Sequence, residues 1–444
     1  TDSDVDCRVD SRKSSRNGSA AARISRQNTS IHPHSTARST VDGTTLPESM
    51  DTAAALPFLL IFLLSTLQYT SLSVFLPCAP LAVLPIGGLL VHLFHWKKPV
   101  VAGKSAVGLA AVAAATVLGG VGAISAGEYF APLSLYYILG LGPGLLVTHL
   151  LLRSELEMPH SYDLMDRLMQ MLYTIGLAMV LAIACFYAEN WAAFADNWEI
   201  PCIPYRNFAA TILVSTLPAA FSLVRRSRWY LAAVLLWGAA LFFSGSRTAL
   251  LFGAVMMLLG MLYLLRRRVL PFWAFFAALA TAAVAALLLG HQIQEIFLGG
   301  RGEPDVFIGP HESRWALLAR SWDDFRQHPL FGIGLGSQKN TDLFKGIPGS
   351  MVFYHNAPAQ ILGSMGLAGV AAYGLLLANR IRLLLRGGEA CILVGMYYTG
   401  MLLVSMTNPG LFCPLPNAAL TVLVFSVLEK CVGDPACPPG KAKL

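Results

Sequence analysis

The chain is short of charge. Asp, Glu, Lys and Arg make up 13% of its 444 residues, about half the share of an ordinary soluble domain. The deficit comes from long uncharged runs, while apolar types reach 55%. That excludes a soluble globular protein and predicts an all-α polytopic membrane protein. Paired cysteines are missing as well. The eight (Cys7, Cys78, Cys185, Cys202, Cys391, Cys413, Cys431 and Cys437) contain no CxxC spacing, which argues against a zinc site or a disulfide framework. A single bridge such as Cys202 to Cys413 stays open. No acidic cluster stands out either. Asp323 and Asp324 are adjacent, so on a helix they point about 100° apart. No metal and no cofactor are expected. Gly332, Gly334 and Gly336 lack the third-glycine spacing and the βαβ setting of a dinucleotide fingerprint. At alternate positions they predict a tight backbone turn near a ligand.

Residues 1–50 lack apolar periodicity altogether. They are rich in Ser, Thr, Arg and Asp, and their seven Lys and Arg nearly cancel six acids. Such a segment has too little apolar surface to fold. It reads as an appended disordered leader ahead of Met50, outside the fold. Nearly all of the net charge of +7 therefore belongs to the remainder. Residues 51–430 are expected to form one transmembrane domain, and 431–444 a short cytoplasmic tail.

What the remainder has is apolar runs. At about 20 residues per crossing they predict about twelve transmembrane helices, at 53–70, 72–95, 105–124, 130–152, 164–188, 207–224, 229–244, 247–265, 269–290, 353–378, 388–407 and 411–428. Basic clusters follow the even-numbered spans: Lys97, Lys98 and Lys104; Arg153; Arg225, Arg226 and Arg228; Arg266, Arg267 and Arg268; Arg380, Arg382 and Arg386; Lys430, Lys441 and Lys443. Positive charge is retained on the cytoplasmic side, so both termini are expected there. The long hydrophilic loop 290–351 then falls on the outer, periplasmic side. Within it Trp315, Leu318, Ala319, Trp322 and Phe325 recur at helical spacing, predicting an amphipathic helix that lies on the membrane or caps a cavity. Pro143 among Gly140, Gly142 and Gly144 predicts a kink.

That topology sets several cations on the side where positive charge is disfavoured. Arg206 and Arg247 each abut a span directly. Arg at a helix centre costs roughly 2.5–3.5 kcal/mol on insertion scales, and less near an end. An anionic ligand at the outer surface would offset that cost. A diphosphate suits the planar guanidinium fork, which donates two parallel hydrogen bonds to phosphate oxygens. The plainer alternative is an arginine snorkelling to lipid headgroups. His355 opens the span after the loop, where an imidazole can take a hydroxyl proton near neutral pH. Asn356 beside it can donate a hydrogen bond. Here the plainer alternative is an interfacial histidine bonded to a backbone carbonyl.

The order of these pieces is more specific than any one of them. Ser244-Gly245-Ser246-Arg247 ends a span, and Glu312-Ser313-Arg314 lies in the charged loop. Trp322-Asp-Asp-Phe-Arg-Gln-His328-Pro-Leu-Phe-Gly-Ile-Gly334-Leu-Gly follows. Tyr354-His355-Asn356 then opens a span continuing Gln360-Ile-Leu-Gly-Ser-Met-Gly-Leu-Ala-Gly369. Over roughly 229–380 this resembles the module shared by O-antigen ligases, O-antigen polymerases and protein O-oligosaccharyltransferases. The Arg206-Asn207 pair resembles the family's upstream arginine site. The resemblance implies a GT-C-type helical fold in the bacterial inner membrane and a periplasmic active site. The implied donor is an undecaprenyl-diphosphate-linked glycan, and the implied transfer is metal-independent and inverting. It implies that Arg206 and Arg247 hold the diphosphate and that His355 activates the acceptor hydroxyl. Arg314, His328, Gly334, Tyr354 and Asn356 are further matched positions with less settled roles. Among members, a ligase acting on a lipid A–core acceptor is favoured over a polymerase or a protein transferase. Membrane lipids are the surrounding partners, and no nucleic acid is expected. A flippase or transporter is the competing class. It would carry polar residues at the bilayer midplane, whereas here the cations sit at one edge.

Overall fold

The computed structural model describes residues 102–125, 138–155, 161–191, 206–298, 314–335, 354–408, 410–411 and 415–433. The leader, the expected spans at 53–70 and 72–95, and Cys202 and Cys413 lie outside the described residues. Every regular element described is helical. In chain order they are α1 (Ser105–Ser125), a π-helical turn (Gly140–Gly144) running into α2 (Leu145–Glu155), α3 (Ser161–Glu189), α4 (Arg206–Val224), α5 (Tyr230–Phe243), α6 (Arg247–Arg266), α7 (Phe272–Leu288), α8 (Gly290–Leu298), α9 (Arg314–Gln327), α10 (Ala357–Leu384), α11 (Glu389–Ser405) and α12 (Leu415–Gly433).

Among the described residues six helices are long and apolar enough to cross a membrane: α1, α3, α4, α6, α10 and α12. Helices α5, α7 and α11 are apolar but shorter, at 10–17 residues. The structure therefore supports an all-α membrane protein, with six full-length spans among the described residues. The residues expected for the tail also begin inside a helix, because α12 runs on to Gly433.

Local chemistry explains the irregular points. Pro143 has no N–H to donate, and the helix widens into a π turn around it. Pro218, inside α4, likewise leaves the carbonyl of Val214 without its helical donor. Gly400 of α11 stands against that carbonyl: a Cβ there would lie 3.0 Å from it. A missing hydrogen bond on one helix thus meets a missing side chain on its neighbour, and the backbones close together.

Helix α4 is the centre of the bundle, packed by α3, α5, α6 and α11 and buried along most of its length. Helix α1 lies along α10, and α12 packs on α2 and α3. Helix α7 is the outlier. It is apolar all round with only Phe275 buried, the pattern of a helix surrounded by an apolar medium.

Two carboxylates bind helix ends together. Glu389, at the start of α11 and 5% exposed, ion-pairs with Arg225 just past α4. It also pairs with Arg267 just past α6, 3.1 Å away, and accepts the Tyr263 hydroxyl at 2.5 Å. Glu429 of α12 accepts the Ser105 N–H that opens α1 at 2.7 Å, with His149 and Arg153 of α2 each 3.8 Å away. Arg380 of α10 lies over the Phe425 ring at 4.8 Å and the Tyr398 ring at 5.2 Å. All of these groups sit where the basic clusters were expected, so the described bundle has one charge-locked end.

Removing one partner of a buried ion pair strands the other, at about 3–5 kcal/mol. Glu389→Ala should therefore lower stability by about 3 kcal/mol in thermal unfolding of the detergent-solubilised protein. Asp166 pairs with Arg226 where both side chains are well exposed. Asp166→Ala should cost less than about 1 kcal/mol. Equal losses in the two variants would contradict this ranking.

Candidate functional site

The other end of the bundle is built differently, and it starts from short local motifs. Ser244 closes α5, its hydroxyl donating to Leu241 O at 2.8 Å. Gly245 follows at φ +61, a left-handed conformation that glycine adopts without a Cβ penalty. Ser246 turns extended and caps α6 by accepting the Ala249 N–H. The motif is thus a helix–turn–helix corner, and it delivers Arg247 as the exposed first residue of α6. The Ser246 hydroxyl also donates to Asn207 Oδ1 at 3.1 Å, which ties this corner to the first turn of α4. Arg206 begins that helix and is half-buried.

The turn after α11 gathers the remaining segments. Thr407 O accepts from Arg314 Nη1 at 2.6 Å. The Thr407 hydroxyl meets the Thr248 hydroxyl at 3.0 Å. Met406 O accepts from Asn356 Nδ2 at 2.7 Å. Asn356 in turn caps α10 by accepting the Ala359 N–H at 2.9 Å. Arg206, Arg247, Arg314 and His355 are therefore brought to one end of the bundle, through direct bonds or through the residues next to them in the chain. Four helices, α4, α6, α9 and α10, begin there. Helix N-termini carry partial positive charge and leave backbone N–H groups unpaired within the helix. Three guanidinium groups, Arg206, Arg247 and Arg314, are added to these helix ends, a chemistry that suits an anion.

His355 is 8% exposed and sits at φ +51. Positive φ is uncommon outside glycine and of interest where it occurs. Tyr354 before it is buried, and its hydroxyl donates to Asp324 Oδ2 at 2.6 Å. Burial, and then the Asp324 carboxylate, push the Tyr354 phenol well above its ordinary value, so it stays a protonated donor.

His328 and Gly334 lie at the end of α9 away from Arg314. Helix α9 has 14 residues, so its two ends lie about 20 Å apart at 1.5 Å per residue. Arg314 opens it and His328 follows it. The turn beginning at His328 docks instead on a break in α10, where Gly366 has φ +59. Leu367 N donates to Pro329 O at 2.9 Å and Ile333 N to Gly363 O at 3.0 Å. A Cβ on Gly366 would stand 2.6 Å from Pro329 O, and one on Gly332 (φ +63) 2.4 Å from Gly363 O. Of the three glycines expected in a tight turn, Gly332 approaches the backbone of α10. Gly336 lies outside the described residues.

The amphipathic helix forms as expected. Leu317, Ser321 and Asp324 are buried, while Trp315 is 79% and Trp322 52% exposed. The polar pair can go inward because each finds a partner. Ser321 donates to Ala359 O at 2.7 Å, and Asp324 accepts from Tyr354. Among the described residues no three His, Cys, Asp or Glu side chains come together as metal ligands. Residues that sequence reasoning passed over are Thr248, Met406 and Thr407. Their only signal was position, beside an arginine or at a helix end.

Asn356 has two roles, and two variants separate them. Asn356→Ala loses the cap and the bond to Met406, and should cost about 1–2 kcal/mol in thermal unfolding. Asn356→Asp keeps a capping oxygen but cannot donate to Met406, so it should recover part of that loss. Recovery of all of it would remove any role for the Met406 bond.

Residues 231–374 match the family model described as O-Antigen ligase. The matched stretch runs from α5 into α10. It includes Arg247, Arg314, His328, Gly334, Tyr354, His355 and Asn356, and leaves Arg206 upstream. No curated protein matches the chain. Over residues 231–374, about a third of the chain, the protein is therefore similar to the O-antigen ligase family.

Proposed function

We propose that the protein is an O-antigen ligase: a glycosyltransferase that moves a glycan from undecaprenyl diphosphate to a sugar hydroxyl of lipid A–core. The reaction would take place at the periplasmic face of the inner membrane, on a GT-C-type helical scaffold. The observation that carries this reading is the convergence of Arg206, Arg247, Arg314 and His355 on one end of the bundle, among four helix N-termini. A lipid diphosphate is an anion anchored at the membrane surface, and that end offers guanidinium forks and backbone N–H groups at one level.

In this reading Arg206 and Arg247 hold the diphosphate. His355 takes the proton of the acceptor hydroxyl as its oxygen attacks the anomeric carbon. The new glycosidic C–O bond forms from the side opposite the diphosphate, so the configuration inverts. The old anomeric C–O bond breaks, and its electron pair leaves on undecaprenyl diphosphate. The arginines and helix ends stabilise that growing charge, which lets the transfer run without a divalent ion. Arg314, bonded to Thr407 O, holds the α11 turn against the site. Asn356 fixes the start of α10 behind His355.

The decisive experiment incubates purified protein with lipid-linked O antigen, with and without lipid A–core. Glycan transferred to lipid A–core supports the ligase. Chains lengthened from donor alone would make it a polymerase. Donor translocated without any new glycosidic bond would make it a flippase. Transfer should persist in EDTA, and loss that Mg²⁺ restores would refute the metal-free route.

Arg206→Ala and Arg247→Ala should each lower kcat/KM by 10²-fold or more, about 2.7 kcal/mol of transition-state stabilisation. The Lys variants should recover only part, since they keep the charge but lose the fork. His355→Ala should lose about 10²–10⁴-fold, and His355→Gln, which can hydrogen-bond but not accept the proton, should be no better. Near wild-type turnover in His355→Gln would move the base elsewhere.

A further inference from the structure

We propose that Asp324 and Tyr354 act together as a positioning pair that sets the backbone of His355 for proton transfer. This rests on the reading of His355 as the base. The starting observation is the φ of +51 at His355. The other non-glycine residue with positive φ among those described is Arg268, at φ +56. Arg268 is exposed and follows the C-cap of α6, where left-handed residues commonly end helices. His355 precedes the N-cap of α10, where helix termination offers no such reason. An outlier of this kind persists only when its surroundings over-determine it.

The surroundings do so from both sides. On the C-terminal side Asn356 caps α10 and bonds Met406 O. On the N-terminal side Tyr354 is held twice. Its backbone N–H donates to Gln360 Oε1 at 3.1 Å, and Gln360 is itself fixed to the Ser364 hydroxyl at 2.7 Å. Its side-chain hydroxyl donates to Asp324 Oδ2 at 2.6 Å. Gly363 makes room for this, since a Cβ there would stand 2.9 Å from the Tyr354 ring.

Asp324 is the unexpected member. Its residue is 1% exposed, and burying a carboxylate is costly unless it is bonded. An apolar residue would serve simple packing at this position better. A charged acceptor gives what packing does not, a short and directional bond to the phenol. Arg320, with Nε 3.4 Å from Oδ1, balances the charge. The pair acts through the backbone, so both are positioning residues. A base must lie within about 2.6–3.2 Å of the proton it takes. A displacement of about 1 Å can cost on the order of 10²-fold.

The test uses the full-length protein in detergent, with two independent readouts. The first is hydrogen exchange of the amides at 354–360, which needs no substrate. The second is kcat and KM for lipid-linked O antigen transferred to lipid A–core. Tyr354→Phe keeps the ring and removes the bond. It should speed exchange at 354–360 while exchange in α4 and α12 is unchanged. It should also lower kcat by about 10–10²-fold with donor KM nearly unchanged, the pattern of an interaction that matters in the transition state. Asp324→Ala should match it, and the double variant should fall no further, because the two residues are one unit. Asp324→Asn keeps an acceptor and should recover most of the rate. Unchanged exchange in Tyr354→Phe would overturn the pair. Faster exchange with unchanged kcat would overturn its role in transfer. Wild-type turnover in His355→Ala would refute the base itself, and the exchange readout would still decide whether the pair holds the backbone.

Discussion

The structure depends on one buried carboxylate. Glu389 opens α11 and draws in Arg225 from the end of α4 and Arg267 from the end of α6. In a poorly solvated setting a carboxylate with two guanidinium groups and a phenol has few alternative arrangements, because each alternative strands a charge. The three helices tied at this point have 19, 20 and 17 residues. Each reaches about 25–30 Å, close to the thickness of a hydrocarbon core. At their far ends they carry Arg206, Arg247 and the Met406–Thr407 turn. The charge lock at one end thus fixes the lateral spacing of the cations at the other.

The two ends solve opposite problems. At the locked end cations meet carboxylates and are neutralised. At the open end Arg314 donates to the backbone carbonyl of Thr407, and neighbouring segments meet through hydroxyl and amide groups. A neutral partner orients a guanidinium without cancelling its charge. The helix termini there add partial positive charge of their own.

Glycine supports this arrangement through contact more than through flexibility. Gly366 and Gly332 let the turn after α9 and the break in α10 interlock through backbone hydrogen bonds. With Ser321 and Asp324 bonded along the same helix, α9 is stitched to α10 at several points. Arg314 at one end of α9 and the Tyr354–Asp324 bond further along it then belong to a single rigid piece. The outward Trp315 and Trp322 follow from the same economy. The inward side of α9 is occupied by polar groups with specific partners, which leaves the rings facing away.

Much of this was legible in the chain itself. Apolar run length sets where helices lie, and the expected ends of α1, α3, α4, α5, α6 and α11 fall within a few residues of those observed, because a charge or a capping residue marks each boundary. The order of Ser-Gly-Ser-Arg, the His-Pro-Leu-Phe-Gly turn and Tyr-His-Asn also identified the family over the stretch that its model matches. Span length was less legible, since periodicity does not distinguish a short apolar helix such as α5, α7 or α11 from a full span. Three things were decided only by tertiary structure. The inward face of α9 depends on hydrogen-bond partners on another helix, which amphipathic spacing cannot encode. The docking of Gly332 on the backbone of α10 depends on a break in that helix about 30 residues away. The backbone of His355 is left-handed because residues far apart in sequence hold its neighbours. A pattern along the chain records which groups are present; which of them satisfy one another is settled when the helices pack.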